Sequence, residues 1–370
     1  MIRVQKSEFR QIGTVLEMKF KRWGRVMLLM SLLNSELCLL NSVGWAFGSD
    51  QVGTSGAEFL KIGPGARPEG MGEAFTGLSD DIHAIYYNPA GLATLKNPEL
   101  TGMHMQWFQS IQYEFAAFAY PTQNYGTWGF AVTDLHTDNI DARTGDTDQA
   151  NGQFSALESA YYLSYANHVT DRLSLGGNVK FIRQSIDSVN ANAYAADGGA
   201  LYETGWHGVR LGGAVQNVGT QVKFVNESDP LPFLIRGGAS VPLRETNAPD
   251  CFRNLLLSSD IIVPRDHQAG VALGGEYTGH LFDGLSYSLR SGYQSLNTDV
   301  TGLSGVSMGG GLTFGRVSFD FAWVPFGDLG NTYRYALHIK FGPSGDEPEK
   351  KNMHLQKTAS TGLSEPPLDF

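Results

Sequence analysis

Histidines, cysteines and acids are the groups in this 370-residue chain that could act as ligands, bases or nucleophiles, and they do not converge on a reaction. Asp134, His136, Asp138, Asp141, Asp146 and Asp148 crowd one predicted loop. Asp146-x-Asp148 resembles the start of a calcium loop, but the glycine and the closing glutamate are missing at their required spacings. The stretch therefore reads as a solvated acidic loop. Gly63-Pro64-Gly65-Ala66-Arg67 is not a dinucleotide fingerprint, because no strand precedes it and Pro68 holds the place of the third glycine. No Gly-x-Ser-x-Gly, His-Glu-x-x-His or phosphate-loop sequence is present. Cys38 falls in a predicted export segment, which leaves Cys251, in a predicted turn, as the mature chain's thiol. One thiol makes neither a disulfide within the chain nor a cysteine metal site. The expectation is a protein that is not an enzyme and has no cofactor and no metal.

The remaining polar groups have a pattern of their own. Charged residues are only 17% of the chain, against 45 glycines and 11% aromatics, and the net charge is -10. An acidic balance speaks against a nucleic-acid partner, which needs a basic patch. Within the predicted strands, one face carries Glu114, Glu158, Lys180, Asp197, Arg210, Arg236, Asp260, Glu276, Arg290, Asp320, Arg334 and Lys340. The other face carries none except Asp134 and Arg183 at strand ends. A charge facing lipid costs about 2–4 kcal/mol at mid-membrane and almost nothing at the interface, so this division suits a membrane barrel better than a water-washed sandwich. Six acids against six bases is no ring of like charge, as an ion-selective pore would want. It suits cross-strand pairing, and Glu158, Lys180, Arg210, Glu276, Arg290, Asp320 and Arg334 are the expected lumen charge network, bracing a barrel against an internal hatch.

The elements that must position these groups are strands. From residue 98 onward, short alternating segments lie between turn clusters: 98–107, 112–121, 125–134, 154–168, 171–185, 191–202, 207–217, 232–242, 253–264, 268–278, 284–293, 303–314, 315–325 and 331–341. That is about fourteen, an even number, each near the length that a tilted membrane strand requires. Leu173, Leu175, Val179 and Phe181 oppose Ser174, Gly176, Asn178 and Lys180. Likewise Tyr333, Tyr335, Leu337, Ile339 and Phe341 oppose Thr332, Arg334, Ala336, His338 and Lys340. Trp107, Tyr113, Trp128, Tyr161, Tyr165, Tyr293, Trp323 and Tyr333 lie near strand ends, where interfacial girdles form.

Ahead of the strands, residues 1–48 read as a signal peptide, with a basic run at 18–25, an apolar core at 26–33 and Ala46-Phe47-Gly48 as the cleavage signal. Met18 is the expected start of translation. Residues 49–97 form a short segment of helical character. Pro68 suits a first helical turn, and Met71, Ala74, Phe75 and Leu78 make one apolar stripe. Ser79-Asp80-Asp81 can cap a second short helix carrying Ile82, Ile85 and Tyr86, which Asn88-Pro89 ends. Such a piece before a long β region predicts a hatch or plug. Residues 342–370 read as a polar disordered tail. The fold class expected is thus an all-β membrane protein: a transmembrane antiparallel β-barrel over 98–341 with an N-terminal helical hatch.

Gly65-Ala66-Arg67, Gly70-Met71-Gly72, Ala74-Phe75-Thr76, Asp80-Asp81 and Asn88-Pro89-Ala90-Gly91-Leu92 together resemble the N-terminal signature of the PorV/PorQ family, outer-membrane barrels related to the FadL-like transporters. Glu73 stands where that pattern wants a small residue, and Tyr87 where it wants a tryptophan. The resemblance runs loosely over 57–341. It implies a bacterial outer-membrane location, outer-membrane lipid around the barrel, and an accessory role in protein secretion with secretion-system proteins or secreted cargo as partners. Its FadL-like side implies instead passive uptake of a hydrophobic ligand past the hatch. For that role Phe59, Phe75, Ile82, Ile85, Tyr86, Asn88 and Pro89 are the candidate pocket. A purely structural barrel is the third reading. The mixed-charge lumen favours secretion, and the apolar hatch residues favour uptake.

Overall fold

A computed structural model describes residues 53–122, 124–143, 145–146, 148–243, 254–297 and 303–342. The export segment, Cys251 and the polar tail lie outside the described residues.

Fourteen strands close an antiparallel barrel. They are β1 (Glu99–Gln106), β2 (Gln112–Pro121), β3 (Thr127–Ala142), β4 (Gly152–His168), β5 (Leu173–Ile186), β6 (Val189–Glu203), β7 (Arg210–Gly219), β10 (Leu234–Leu243), β11 (Leu255–Pro264), β12 (Gly270–Phe282), β13 (Leu285–Gln294), β14 (Val306–Phe314), β15 (Val317–Pro325) and β16 (Asn331–Lys340). A separate hairpin of β8 (Val222–Phe224) and β9 (Glu227–Asp229) lies between β7 and β10. Each barrel strand pairs with its neighbour, and β1 closes on β16 from Glu99↔Lys340 to Gln106↔Tyr333. Closure leaves no open sheet edge, which lipid would not tolerate.

The alternation read from sequence sets the two faces. On β5, Leu175 and Val179 are 46% and 58% exposed, while Ser174, Asn178 and Lys180 are 4% or less. On β16, Tyr333, Tyr335 and Leu337 face out and Thr332, Arg334, Ala336 and His338 face in. A continuous outer band of such residues exceeds what water tolerates and matches a hydrocarbon surround.

Three local expectations change. β3 runs on to Ala142, so Asp134, His136, Asp138 and Asp141 belong to a strand, and only Asp146 and Asp148 lie in the connection. Glu114 faces outward, not into the lumen. It pairs across the sheet with Asp134 and meets His104 at 2.6 Å near the strand ends, where an interfacial charge is cheap. Tyr113, one residue earlier, turns inward and donates to Ile62 O at 2.9 Å instead of joining a girdle.

Residues 53–98 thread the lumen as a plug. Helix α1 (Ala66–Gly70) and helix α2 (Ala84–Tyr87) are short, and 3-10 turns occupy Glu58–Lys61 and Pro89–Thr94. The expected longer helix through Leu78 does not form. Gly72 and Glu73 both adopt left-handed backbone (φ 62°), which ends a right-handed helix. Met71, Ala74, Phe75 and Leu78 are nevertheless all buried, because the barrel wall surrounds them from every side.

Candidate functional site

An irregular buried segment must find partners for its backbone polar groups, and the wall supplies them. Asp260 Oδ2 accepts from the Phe75 and Thr76 amides at 2.9 and 2.7 Å, and Ser307 Oγ accepts from Gly72 N at 3.0 Å. Asn178 donates to Ile85 O at 2.7 Å, Gln216 donates to Tyr86 O, and Ser240 donates to Gly77 O at 2.9 Å. The polar inner faces of the strands thus serve the plug directly.

Ion pairs add a second set of ties between plug and wall. Arg67 reaches Glu276 of β12 at 2.8 Å while bridging Asp80 and Asp81 of the plug at 2.6 and 2.7 Å. Arg290 continues that chain to Glu276 and Asp320, both at 2.6 Å. Glu69 pairs with Arg334 at 3.1 Å and Glu73 with Arg236 at 2.7 Å. Lys61 pairs with Asp266 at 2.8 Å. Within the wall, Lys180 pairs with Asp197 at 2.7 Å and Arg210 with Glu203 at 3.2 Å. Glu158 is different: among the described residues it accepts only from the neutral amide of Gln184.

Of these groups, Arg67, Glu69, Glu73, Arg236 and Asp260 were not singled out as site residues in the sequence. Arg67 and Glu73 stand within the motif-bearing stretch, and Arg236 and Asp260 stand on the polar strand faces. What was missing was the pairing of the two sets, which spacing along the chain does not reveal.

Glu69 carries a pH-dependent load. Burial, helped by the neighbouring Glu73 and opposed by Arg334, raises its carboxyl from 4.5 to about 8. The docked plug then holds this proton more tightly than a released plug with an ordinary carboxyl. Stability of docking is full below about pH 4.5 and declines as pH rises towards 8. Amide exchange of the plug at pH 5, 7 and 9 is expected to show protection falling with pH, and Glu69→Gln is expected to flatten the trend. Protection rising with pH in the unmodified chain would contradict the assignment.

The seven candidate pocket residues are not gathered around one space. Phe59 lines an apolar-walled cavity. Phe75 packs edge-on to Tyr87 at 5.5 Å, Tyr86 donates to Leu60 O at 2.9 Å, and Ile82 and Ile85 are fully buried in the packing between plug and wall. Asn88 caps the turn that Pro89 begins, accepting from Ala90 N at 3.2 Å and donating to Ala200 O at 3.0 Å.

The cavities lie at the two ends of the plug. The upper one, at the end of the barrel where β1 finishes, measures about 400 Å³. Its apolar wall comes from Phe59, Ile62, Trp107, Ile111, Leu135 and Phe326, and Glu69, Glu73, Glu158 and Arg334 supply polar lining. Trp107, Phe108 and Phe326 form an aromatic cluster with ring centroids 5.5 Å apart. At the opposite end, where the chain passes into β1 and out of β16, a polar cavity of about 620 Å³ is bounded by Asp80, Arg172, Glu203 and Arg210. A smaller one of about 270 Å³ borders Arg67, Glu276 and Arg290.

A closed fourteen-stranded barrel filled by an N-terminal plug, with a cavity at each end, has structural relatives. The toluene transporter TbuX of Ralstonia pickettii is 14% identical, with 76% of this chain covering 99% of that one at a TM-score of 0.52. The chain shares its fold with TbuX. The Pseudomonas putida toluene transporter TodX is 11% identical over 75% of this chain and 96% of that one, with a TM-score of 0.48. A FadL homologue of Pseudomonas aeruginosa is 12% identical over 74% and 97%, with a TM-score of 0.46. In sequence, residues 46–201 match a family described as "Uncharacterised protein family (UPF0164)". No curated protein matches the chain. The matched family carries no stated activity, so the PorV/PorQ resemblance rests on the motifs quoted for it.

Proposed function

We propose that this barrel lies in a bacterial outer membrane and passes small apolar compounds through its lumen, with the plug as the gate. The observation that carries this reading is the pair of cavities, about 400 and 620 Å³, at opposite ends of the plug. The plug between them is held by ion pairs and side-chain hydrogen bonds, ties that water can replace one by one. Apolar packing of Phe59, Ile82, Ile85 and Leu92 against the wall supplements those ties on one side of the plug. The aromatic mouth of the upper cavity offers an apolar solute its first site, and the transporter activity named for TbuX agrees with that direction. No step in this reading needs a bond made or broken, so it is not an enzyme's. The secretion role implied by the PorV/PorQ resemblance rests on that resemblance and on the mixed-charge lumen.

A tether tests the gate. A Cβ on Gly56 lies 3.3 Å from Cβ of Val222 on the β8–β9 hairpin, a few tenths of an ångström short of the spacing a disulfide bridges, which a small shift of the hairpin supplies. In a Cys251→Ser background, Gly56→Cys with Val222→Cys is expected to lock the upper end of the plug when oxidised. Uptake of a labelled monoaromatic hydrocarbon into proteoliposomes is expected to fall at least tenfold and to return on reduction. Equal uptake in both states would sink the gating role.

A further inference from the structure

We infer that the upper cavity selects an organic cation, an aromatic or alkyl body carrying one ammonium group, over neutral and anionic compounds of the same size. This deepens the uptake reading and rests on it for the route, but the selectivity stands on the lining. A cavity of about 150 Å³ already holds benzene, so about 400 Å³ has room for a ring with a short chain. The apolar wall, above all Phe59, Trp107 and Phe326, accounts for the body.

The charge of the lining accounts for the rest. Four carboxyls, Glu58, Glu69, Glu73 and Glu158, border the cavity; with Glu69 keeping its proton at neutral pH, three charged acids face two cations, Lys61 and Arg334. Adding the partners just behind the lining, Arg236 and Asp266, gives three cations against four charged acids, and the excess of one acid persists. Glu58 is matched by Lys61, Glu69 by Arg334 and Glu73 by Arg236. Glu158 has no cation among the described residues, only the Gln184 amide. It is half-buried, so its charge is screened less than a surface carboxylate's.

A second, independent sign lies deeper. The Tyr87 hydroxyl is buried without a hydrogen-bond partner among the described residues, and Glu69 Oε1 beside it has only the Glu73 carboxyl. Both converge on Gly63, where a Cβ would come within 2.6 and 2.4 Å of them. Gly63 and Glu69 line the cavity, so an ammonium N–H reaching past Glu158 would find waiting acceptors. Buried acceptors left without a donor are costly, and an amine supplies what a hydrocarbon cannot. The faces of Trp107 and Phe326, rings 5.5 Å apart, add cation–π attraction at the mouth. A carboxylate ligand would meet the same acids as repulsion.

Equilibrium binding to the full-length protein in detergent, read by calorimetry and by quenching of tryptophan emission, tests this with three isosteric probes. They are 4-phenylbutylamine, 4-phenylbutanol and 4-phenylbutyrate. The amine is expected to bind at least tenfold more tightly than the alcohol, and the carboxylate most weakly. Glu158→Gln keeps the shape of the wall and is expected to reduce the amine's advantage at least fivefold while leaving the alcohol unchanged. An alcohol that binds as tightly as the amine, or an advantage that survives Glu158→Gln, overturns the cation selectivity and leaves the uptake reading intact. Failure of all three probes to bind overturns both.

Discussion

Replacing Arg67 with alanine is expected to open the barrel. Its guanidinium lies between three carboxylates: Glu276 on the wall, and Asp80 and Asp81 on the plug, all within 2.8 Å. Asp81 is 2% and Glu276 7% exposed, so neither can recover its hydration while the plug stays docked. Removing one partner of a buried pair costs about 3–5 kcal/mol, because the other charge is left uncompensated. Arg290 still neutralises part of Glu276, and His83 contacts Asp81 at 2.8 Å, which places the effect at the lower end of that range. Arg67→Lys keeps the charge but loses the fork that serves several carboxylates at once, and an intermediate effect is expected. Liposome swelling with small sugars measures the opening directly. Arg67→Ala is expected to admit sugars that the unmodified barrel excludes, with proteolysis appearing between 66 and 95. Unchanged swelling and unchanged proteolysis would mean that the ion pairs do not hold the plug.

The strands were legible in the sequence because lipid enforces one rule on every one of them. Leu175, Val179, Tyr333 and Leu337 have no alternative but the outer face, and period-two alternation carries that requirement into the sequence. The plug obeys no such rule. Met71, Phe75 and Leu78 have helical spacing, yet the backbone at Gly72 and Glu73 turns left-handed to follow the wall. Tertiary contacts there, the Asp260 and Ser307 hydrogen bonds among them, outweigh local propensity. The same reason hid the upper cavity. Its lining joins the plug near Phe59 and Glu69 to Trp107, Leu135, Glu158, Phe326 and Arg334, positions scattered over most of the chain. Lumen charges could be assigned to a face, but their partners could not. Glu73 looked like a departure from a motif until Arg236 appeared opposite it. Glu114 failed for a different reason: at a strand end the membrane no longer decides which side a charge takes.

Gly292→Val is expected to unseat the plug without any change of charge. Gly292 on β13 faces the lumen directly against the plug backbone. A Cβ there would lie 2.0 Å from Gly72 N and 2.2 Å from Met71 C. Backbone atoms cannot swing aside as a side chain can, so either the plug or the strand must move. The strand is fixed by its ladders to Gly274 and Ser307 on either side, whereas the plug is held by side-chain ties and apolar packing with no ladder to the wall. Overpacking a filled core costs about 1–3 kcal/mol and occasionally more. A clash with main chain belongs at the upper end, and the Gly72–Ser307 hydrogen bond at 3.0 Å is lost with it. Gly310→Val is the matching control. It lies on the neighbouring strand β14, and its nearest contact for a Cβ is Ser288 O at 3.8 Å. Hydrogen exchange is expected to show the amides of Gly72, Phe75 and Thr76 losing protection in Gly292→Val and keeping it in Gly310→Val, with the barrel amides protected in both. Sugar permeability is expected to rise in the first variant alone. Retained protection at Gly72 would show that the wall gives way before the plug does, and would turn the search for the gate from the plug to the strands.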